Sequence, residues 1–450
     1  MLTPRTRFAT APDGARIAYQ VVGAAGRDVM FVPDWLSSID LMWEHPASAR
    51  FLDSLCEVGR LVLFDKRGNG DSDPATFERG AMGATAEQGA ADLVTVLDAV
   101  GSTEADVVTT STGAWPALML SATAPERVRR LVAHDPAVRL VRSDDYPHAM
   151  TEAVLQALID NIEGHWGEGT SLLYYAPDEW GDTALREWLG RYERLATSRT
   201  FMLETWRNAA EADLRPVLPL VHAETLVLSH LNNPLLSGEQ GRFLANSVPS
   251  ARFVGLDGSN LFPWGDERVA AHIERFLGET GDSRREPEMR RVLATILFTD
   301  IVASTSRLAD VGDRRWRQLL DEHDRLGADL VERFRGRVVK RTGDGLLAVF
   351  DGPARAVRCA TALSEAASRR LGVELRAGVH TGEIELRGED VGGMSVHLAA
   401  RVMANAGGGE VLTTRTVKDL TTGSGLAFNA RGARTMKGVP EPWELYSVAD

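Results

Sequence analysis

The stretch Val292-Leu293-Ala294-Thr295-Ile296-Leu297-Phe298-Thr299-Asp300 is an apolar run of strand length and composition. It is followed by Ile301-Val302-Ala303-Ser304-Thr305 and an amphipathic helical pattern. Asp300 is thereby set at a strand end. A second carboxylate arrives downstream, where Thr342-Gly343-Asp344-Gly345 stands between two β-branched segments and signals a hairpin with Asp344 at its tip. Two rigidly mounted carboxylates are what Mg²⁺ or Mn²⁺ needs when most of its other ligands are phosphate oxygens and water. Taken singly, each is more simply a turn or helix-cap aspartate.

Further on, Glu389-Asp390-Val391-Gly392-Gly393-Met394-Ser395-Val396-His397-Leu398-Ala399-Ala400-Arg401 is a loop feeding a helix, on which His397 and Arg401 are i,i+4 neighbours on one face. Lys340 precedes Asp344 by one hairpin arm. With these motifs in this order and spacing, residues 290–450 resemble the catalytic domain of the class III adenylate and guanylate cyclases. The resemblance implies an α+β domain in which Asp300 and Asp344 bind two metal ions per active site, Mg²⁺ or Mn²⁺, with the Ile301 carbonyl as an extra ligand. It implies that Lys340 and Asp390 read the adenine edge of ATP and that Arg401 stabilises the transition state. Lys437, in Met436-Lys437-Gly438, matches the lysine that holds the triphosphate. His397 stands where the family usually has a ribose-orienting asparagine, which bears on rate more than on the reaction. Ser304 and Thr305 open the first helix, whose free N–H groups suit triphosphate oxygens. The family makes 3',5'-cyclic AMP and pyrophosphate at composite sites shared by two chains, so a homodimer is expected.

The chain has 450 residues, 44% of them hydrophobic, enough for two or three domain cores. A formal net charge of -13 gives nucleic-acid or anionic-membrane binding little electrostatic support. Cys56 and Cys359 are far apart and read as buried thiols, not as a disulfide or a thiolate metal site. Met1-Leu2-Thr3-Pro4-Arg5 opens no apolar signal core, and no run approaches the roughly 18 apolar residues of a membrane span, so a cytoplasmic location is expected.

Residues 7–277 alternate apolar strands and helices in the manner of a mostly parallel sheet. Asp28-Val29-Met30-Phe31-Val32-Pro33 and Leu61-Val62-Leu63-Phe64-Asp65 are buried strands, and Lys66-Arg67-Gly68-Asn69-Gly70-Asp71-Ser72-Asp73 is a loop whose glycines lack a phosphate-binding spacing. Thr109-x-Ser111-x-Gly113, between a strand and a helix, resembles the nucleophile elbow of the α/β-hydrolases. Three departures argue against hydrolysis: Asn233 stands where the acid belongs, Leu261 where the histidine belongs, and Asp34 in the oxyanion-hole turn opposes developing negative charge. His134, His222 and His230 are read as satisfied histidines with a displaced base as the alternative, and Asp135 as a candidate relocated acid. Residues 141–218 turn to helical periodicity and resemble the helical cap of the hydrolases; their tryptophans and tyrosines read first as core, with the lining of an apolar cavity suited to a small ligand as the alternative. The expectation is an α/β-hydrolase-like domain at 1–278, catalytically degenerate and regulatory or ligand-sensing, a polar linker at 279–289 and a cyclase domain at 290–450. A weak or non-catalytic nucleotide-responsive regulator, and an esterase with a cyclase-like tail, are the alternatives.

Overall fold

A computed structural model describes residues 4–23, 26–74, 85–279, 291–304, 307, 312–387, 390–436 and 441–449. It divides into two compact units, residues 1–283 and 284–450. Among the described residues no helix is long and apolar enough to cross a membrane.

The N-terminal unit is built on eight strands: β1 (Arg7–Thr10), β2 (Arg16–Val22), β3 (Asp28–Val32), β4 (Arg60–Phe64), β5 (Ala105–Thr110), β6 (Val128–His134), β7 (Glu224–His230) and β8 (Ala251–Leu256). Their order is β1-β2-β4-β3-β5-β6-β7-β8. β1, β2 and β4 pair antiparallel in sequence, and from β4 to β8 every pairing is parallel. Every residue of β3 and β5 is buried, the signature of strands covered on both faces. Pro46–Val58 and Glu267–Gly278 pack Leu52, Leu55, Ile273 and Phe276 into one core with Phe31, Val108, Val132 and Leu228. Between β6 and β7 the chain leaves the sheet for helices Glu152–His165, Thr183–Ala196 and Arg199–Ala209.

The C-terminal unit is centred on β9 (Arg291–Ile301), flanked antiparallel by β11 (Gly345–Phe350) and β12 (Leu375–Arg387). With β10 (Gly336–Arg341), β14 (Val411–Thr414), β15 (Phe428–Arg434) and β16 (Trp443–Val448), the order is β10-β11-β9-β12-β14-β16-β15. β13 (Asp390–Gly392) pairs the far end of β12. Alternation along β9 splits the burial between two clusters. Leu297 and Ile301 join a cluster with Val357 and Leu363 of helix Pro353–Ala366, whereas Ala294 and Ile296 join Ala399 of helix Met394–Ala404. That second helix lies so close to β12 that a Cβ on Gly378 would stand 2.1 Å from the Met403 nitrogen.

Cys359 is the buried thiol expected, but Cys56 is half-buried. It lies about 100° round the helix from Leu55, off the stripe of Ser48, Phe51, Leu52 and Leu55 that faces the core.

Candidate functional site

The β9–β11–β12 register brings the metal candidates together. Asp300 stands opposite Gly345 on β11 and Arg376 on β12, so Asp344, next to Gly345 at the hairpin tip, falls beside it. The tip is closed by Thr342 N–H to the Gly345 carbonyl at 2.9 Å, and the Ile301 N–H donates to the Asp344 carbonyl at 3.2 Å. Gly343 takes φ +95°, a conformation that suits glycine in this tight turn. Burial lifts the Asp300 carboxyl above the usual carboxylate range, and the neighbouring Asp344 adds to the lift. Arg376 offsets part of it, donating to Oδ2 of Asp300 from Nε at 2.9 Å and also from its Nη2. Arg376 therefore leaves Oδ1 of Asp300 to other partners. Two adjacent carboxylates, one of them held by the Arg376 guanidinium, with a buried Ile301 beside Asp300, fit the donor set of a hard divalent cation.

Lys340 lies on β10 and Asp390 on β13, and Val339 and Val391, their chain neighbours, pack in one cluster, so the two strands are drawn to the same region. Leu398, Ala399 and Val402 carry the buried face of helix Met394–Ala404, leaving His397 and Arg401 exposed. Met394, His397 and Arg401 are spaced i, i+3, i+7 on that outward stripe, and Met394 is 60% exposed. Ser304 stands four residues after Asp300, just beyond β9; Thr305 and Lys437 lie outside the described residues. Arg376, the partner of Asp300, was not among the residues singled out in the sequence.

In the N-terminal unit the strand-turn-helix backbone of the elbow is present, and its backbone donor is already bonded. Ser111 sits between β5 and helix Ala114–Thr123 at φ +49°, the left-handed conformation of a strained turn. A Cβ on Gly113 would come 2.5 Å from the Pro33 carbonyl, which explains the glycine. The Thr112 N–H, which follows the serine and would serve an oxyanion, donates instead to Oδ1 of Asp34 at 3.2 Å, and the Thr112 hydroxyl adds a bond of 2.8 Å. A carboxylate thus occupies the oxyanion position. Burial lifts Asp34 and pushes the neighbouring Lys66 ammonium down to about 8, each countered by the other's charge.

The other two departures are structural. Oδ1 of Asn233 accepts the N–H groups of Leu235 and Leu236 at 2.7 and 3.0 Å while its amide donates to the Tyr174 carbonyl at 3.2 Å, a mix that a carboxylate could not serve. Leu261 is buried and lines a cavity with Asp34, Thr110, Tyr175, Tyr192 and Trp264. His230 is satisfied as expected, bonded through Nδ1 to Asp135 at 2.8 Å and through Nε2 to Asp266 at 3.3 Å. His134 is not: at 0% exposure neither ring nitrogen has a hydrogen-bond partner.

Residues 31–161 match the model of the alpha/beta hydrolase fold, and residues 288–449 that of the adenylate and guanylate cyclase catalytic domain. A protein of Rhizobium meliloti is 33% identical over 175 residues, 35% of this chain and 28% of that one. The adenylate cyclase of Glutamicibacter nicotianae is 27% identical over 235 residues, 49% of this chain and 58% of that one. The chain therefore spans less than two thirds of either relative. An esterase from Exiguobacterium antarcticum superposes with a TM-score of 0.54 at 22% identity, over 61% of this chain and all of that one, a likeness of fold.

Proposed function

We propose that this chain, an alpha/beta hydrolase domain followed by a class III adenylate/guanylate cyclase catalytic domain, converts ATP into 3',5'-cyclic AMP and pyrophosphate. The observation that carries the reading is the Asp300–Asp344 pair, two carboxylates that the register of β9 and β11 sets side by side. Asp300, Asp344 and the Ile301 carbonyl would hold Mg²⁺ or Mn²⁺, two ions in the class III scheme, whose chemistry is to acidify the 3'-hydroxyl and neutralise the phosphates. Arg401 contributes a planar, permanently charged fork suited to a phosphoryl group gaining charge, a role lysine fills less well. Lys340 donates to adenine N1 and Asp390 accepts from the amino group. Guanine presents the reverse pattern.

The outward stripe of Met394, His397 and Arg401 supports a homodimer, because these side chains face away from their own core and an exposed methionine beside two polar groups suits a partner surface. The expected result is turnover of ATP with Mn²⁺ by the full chain, with a specificity constant for ATP above that for GTP that Lys340→Glu erodes. Equal or better use of GTP sinks the base-reading assignment; no turnover of either nucleotide sinks the enzyme reading and leaves a nucleotide-responsive regulator.

The N-terminal unit we read as a regulatory module that binds a small apolar molecule without consuming it. The Asp34 carboxylate on the Thr112 N–H supports this, since it blocks oxyanion stabilisation even where the serine turn survives. Ser111→Ala should leave any esterase background unchanged and a fluorophosphonate probe should leave Ser111 unmodified. A stoichiometric adduct at Ser111 would revive the esterase reading.

A further inference from the structure

At the carboxyl ends of β6 and β7 the N-terminal unit buries a cluster that none of the chemistry above uses. His134 ends β6, Asp135 follows it and His230 ends β7, all of them buried. Asp135 adopts φ +43°, a left-handed conformation unusual for a non-glycine residue. Its Oδ1 accepts the His230 N–H at 2.6 Å, while its Oδ2 stands 2.8 Å from His230 Nδ1 and 3.2 Å from His134 Nε2. The ligand atoms of these three residues lie within 4.8 Å of one another.

One account of such a cluster is a His230 imidazolium clamped between Asp135 and Asp266. It explains His230 and fails for His134, whose two ring nitrogens are buried without a hydrogen-bond partner. The His134 Nε2 to Asp135 Oδ2 approach is short enough for a hydrogen bond yet out of line for one. Two ligands of a single tetrahedral ion, each about 2.0–2.1 Å from it, stand roughly 3.3 Å apart with no bond between them. The far side of His230 fits as well. A metal-bound histidine ordinarily gives its other N–H to a carboxylate, and Asp266, itself fixed by Nε of Arg268 at 2.9 Å, stands 3.3 Å from His230 Nε2.

We propose that His134 Nε2, Asp135 Oδ2 and His230 Nδ1 form a site for a divalent transition metal of the zinc class, with Asp266 orienting His230 from behind. Two imidazoles and one carboxylate are a donor set for zinc or cobalt, whereas magnesium and calcium take oxygen ligands. Three protein ligands leave a fourth position for water or a small anionic group. The site is separate from Asp300 and Asp344, which belong to the other unit.

The test uses the full chain, stripped with a chelator, equilibrated with Co²⁺ or Zn²⁺ and desalted. One metal per chain should be retained, with the strong visible absorption of four-coordinate cobalt, and Asp300→Asn should retain the same amount. His134→Phe should abolish retention. Asp266→Asn, which keeps the helix cap, should weaken binding by roughly 10–100-fold. Because His134→Phe risks misfolding, the melting temperature of the stripped wild type is read with and without Zn²⁺; it should rise. No retained metal, equal retention by His134→Phe, loss of the metal in Asp300→Asn, or a melting temperature indifferent to Zn²⁺ each overturns the site.

Discussion

At the scale of single residues, the N-terminal unit buries ionisable groups whose hydrogen bonds only partly offset the loss of water. Asp65, at the end of β4, spends one oxygen on the Ile39 N–H at 3.0 Å and the other on the Asp71 N–H at 3.1 Å, and Gly70 leaves room for it, since a Cβ there would stand 2.0 Å from Oδ2. Burial nevertheless pushes the Asp65 carboxyl up to about 7. Between the unfolded value near 3.9 and that value the folded chain holds a proton the unfolded chain has lost, so this group's contribution to stability falls as pH rises through the window and is flat above it. Asp65→Asn removes the titration. The unfolding free energy of the wild type relative to that variant, read from urea titrations, should therefore decline between about pH 5 and 7, by at most about 1.4 kcal/mol per pH unit, and a gap constant across that range would show that Asp65 keeps its charge on folding. The loop itself could be read from its glycines and aspartates; the anchoring of Asp65 on Ile39 could not, because it joins residues 26 apart through a tertiary contact.

At the scale of elements, the two carboxylates follow from two strands that are legible as β-branched and apolar runs with a turn signal between their partners. Asp300 at the end of β9 and Asp344 at the β10–β11 tip were set by local pattern, and the antiparallel register did the rest. Arg376 was hidden because its bond to Asp300 crosses two strands 76 residues apart. The same holds for Asp34 on Thr112, 78 residues away, and for Asp135 on His230, 95 residues away. Sequence could suggest that Asp34 opposes an oxyanion but not that it takes the donor itself. Helix Met394–Ala404 is the reverse case, since its spacing alone sets His397 and Arg401 on one face and the structure leaves that face exposed. His397 stands where the class III cyclases usually carry a ribose-orienting asparagine, and an imidazole offers a different donor and acceptor geometry from an amide. His397→Asn should speed the cyclase, measured as initial rates with Mn²⁺ and ATP; an unchanged rate would reduce His397 to a space-filling role.

At the scale of the whole molecule, the proposal of a composite site makes a demand that no single chain can meet. If Asp300 and Asp344 act from one protomer while Lys340, Asp390 and Arg401 act from the other, Asp300→Ala and Arg401→Ala should each be inactive alone, because each homodimer spoils both of its sites. A mixed dimer is different. It pairs a chain with intact aspartates and no arginine with a chain that keeps Arg401 and lacks Asp300, so one site regains every group and the other loses both. Activity should return on mixing to half the wild-type value per mixed dimer. Random assortment makes half of the dimers mixed, which gives a quarter of wild type overall. The recovery stands clear of background, since loss of a transition-state charge contact typically costs about 3–4 kcal/mol, at roughly tenfold in rate per 1.4 kcal/mol. Subunit exchange is confirmed separately, by mixing differently labelled chains. If exchange is complete and the mixture stays as inactive as its components, these residues do not act from opposite chains, and the outward stripe of Met394, His397 and Arg401 serves something other than a shared active site.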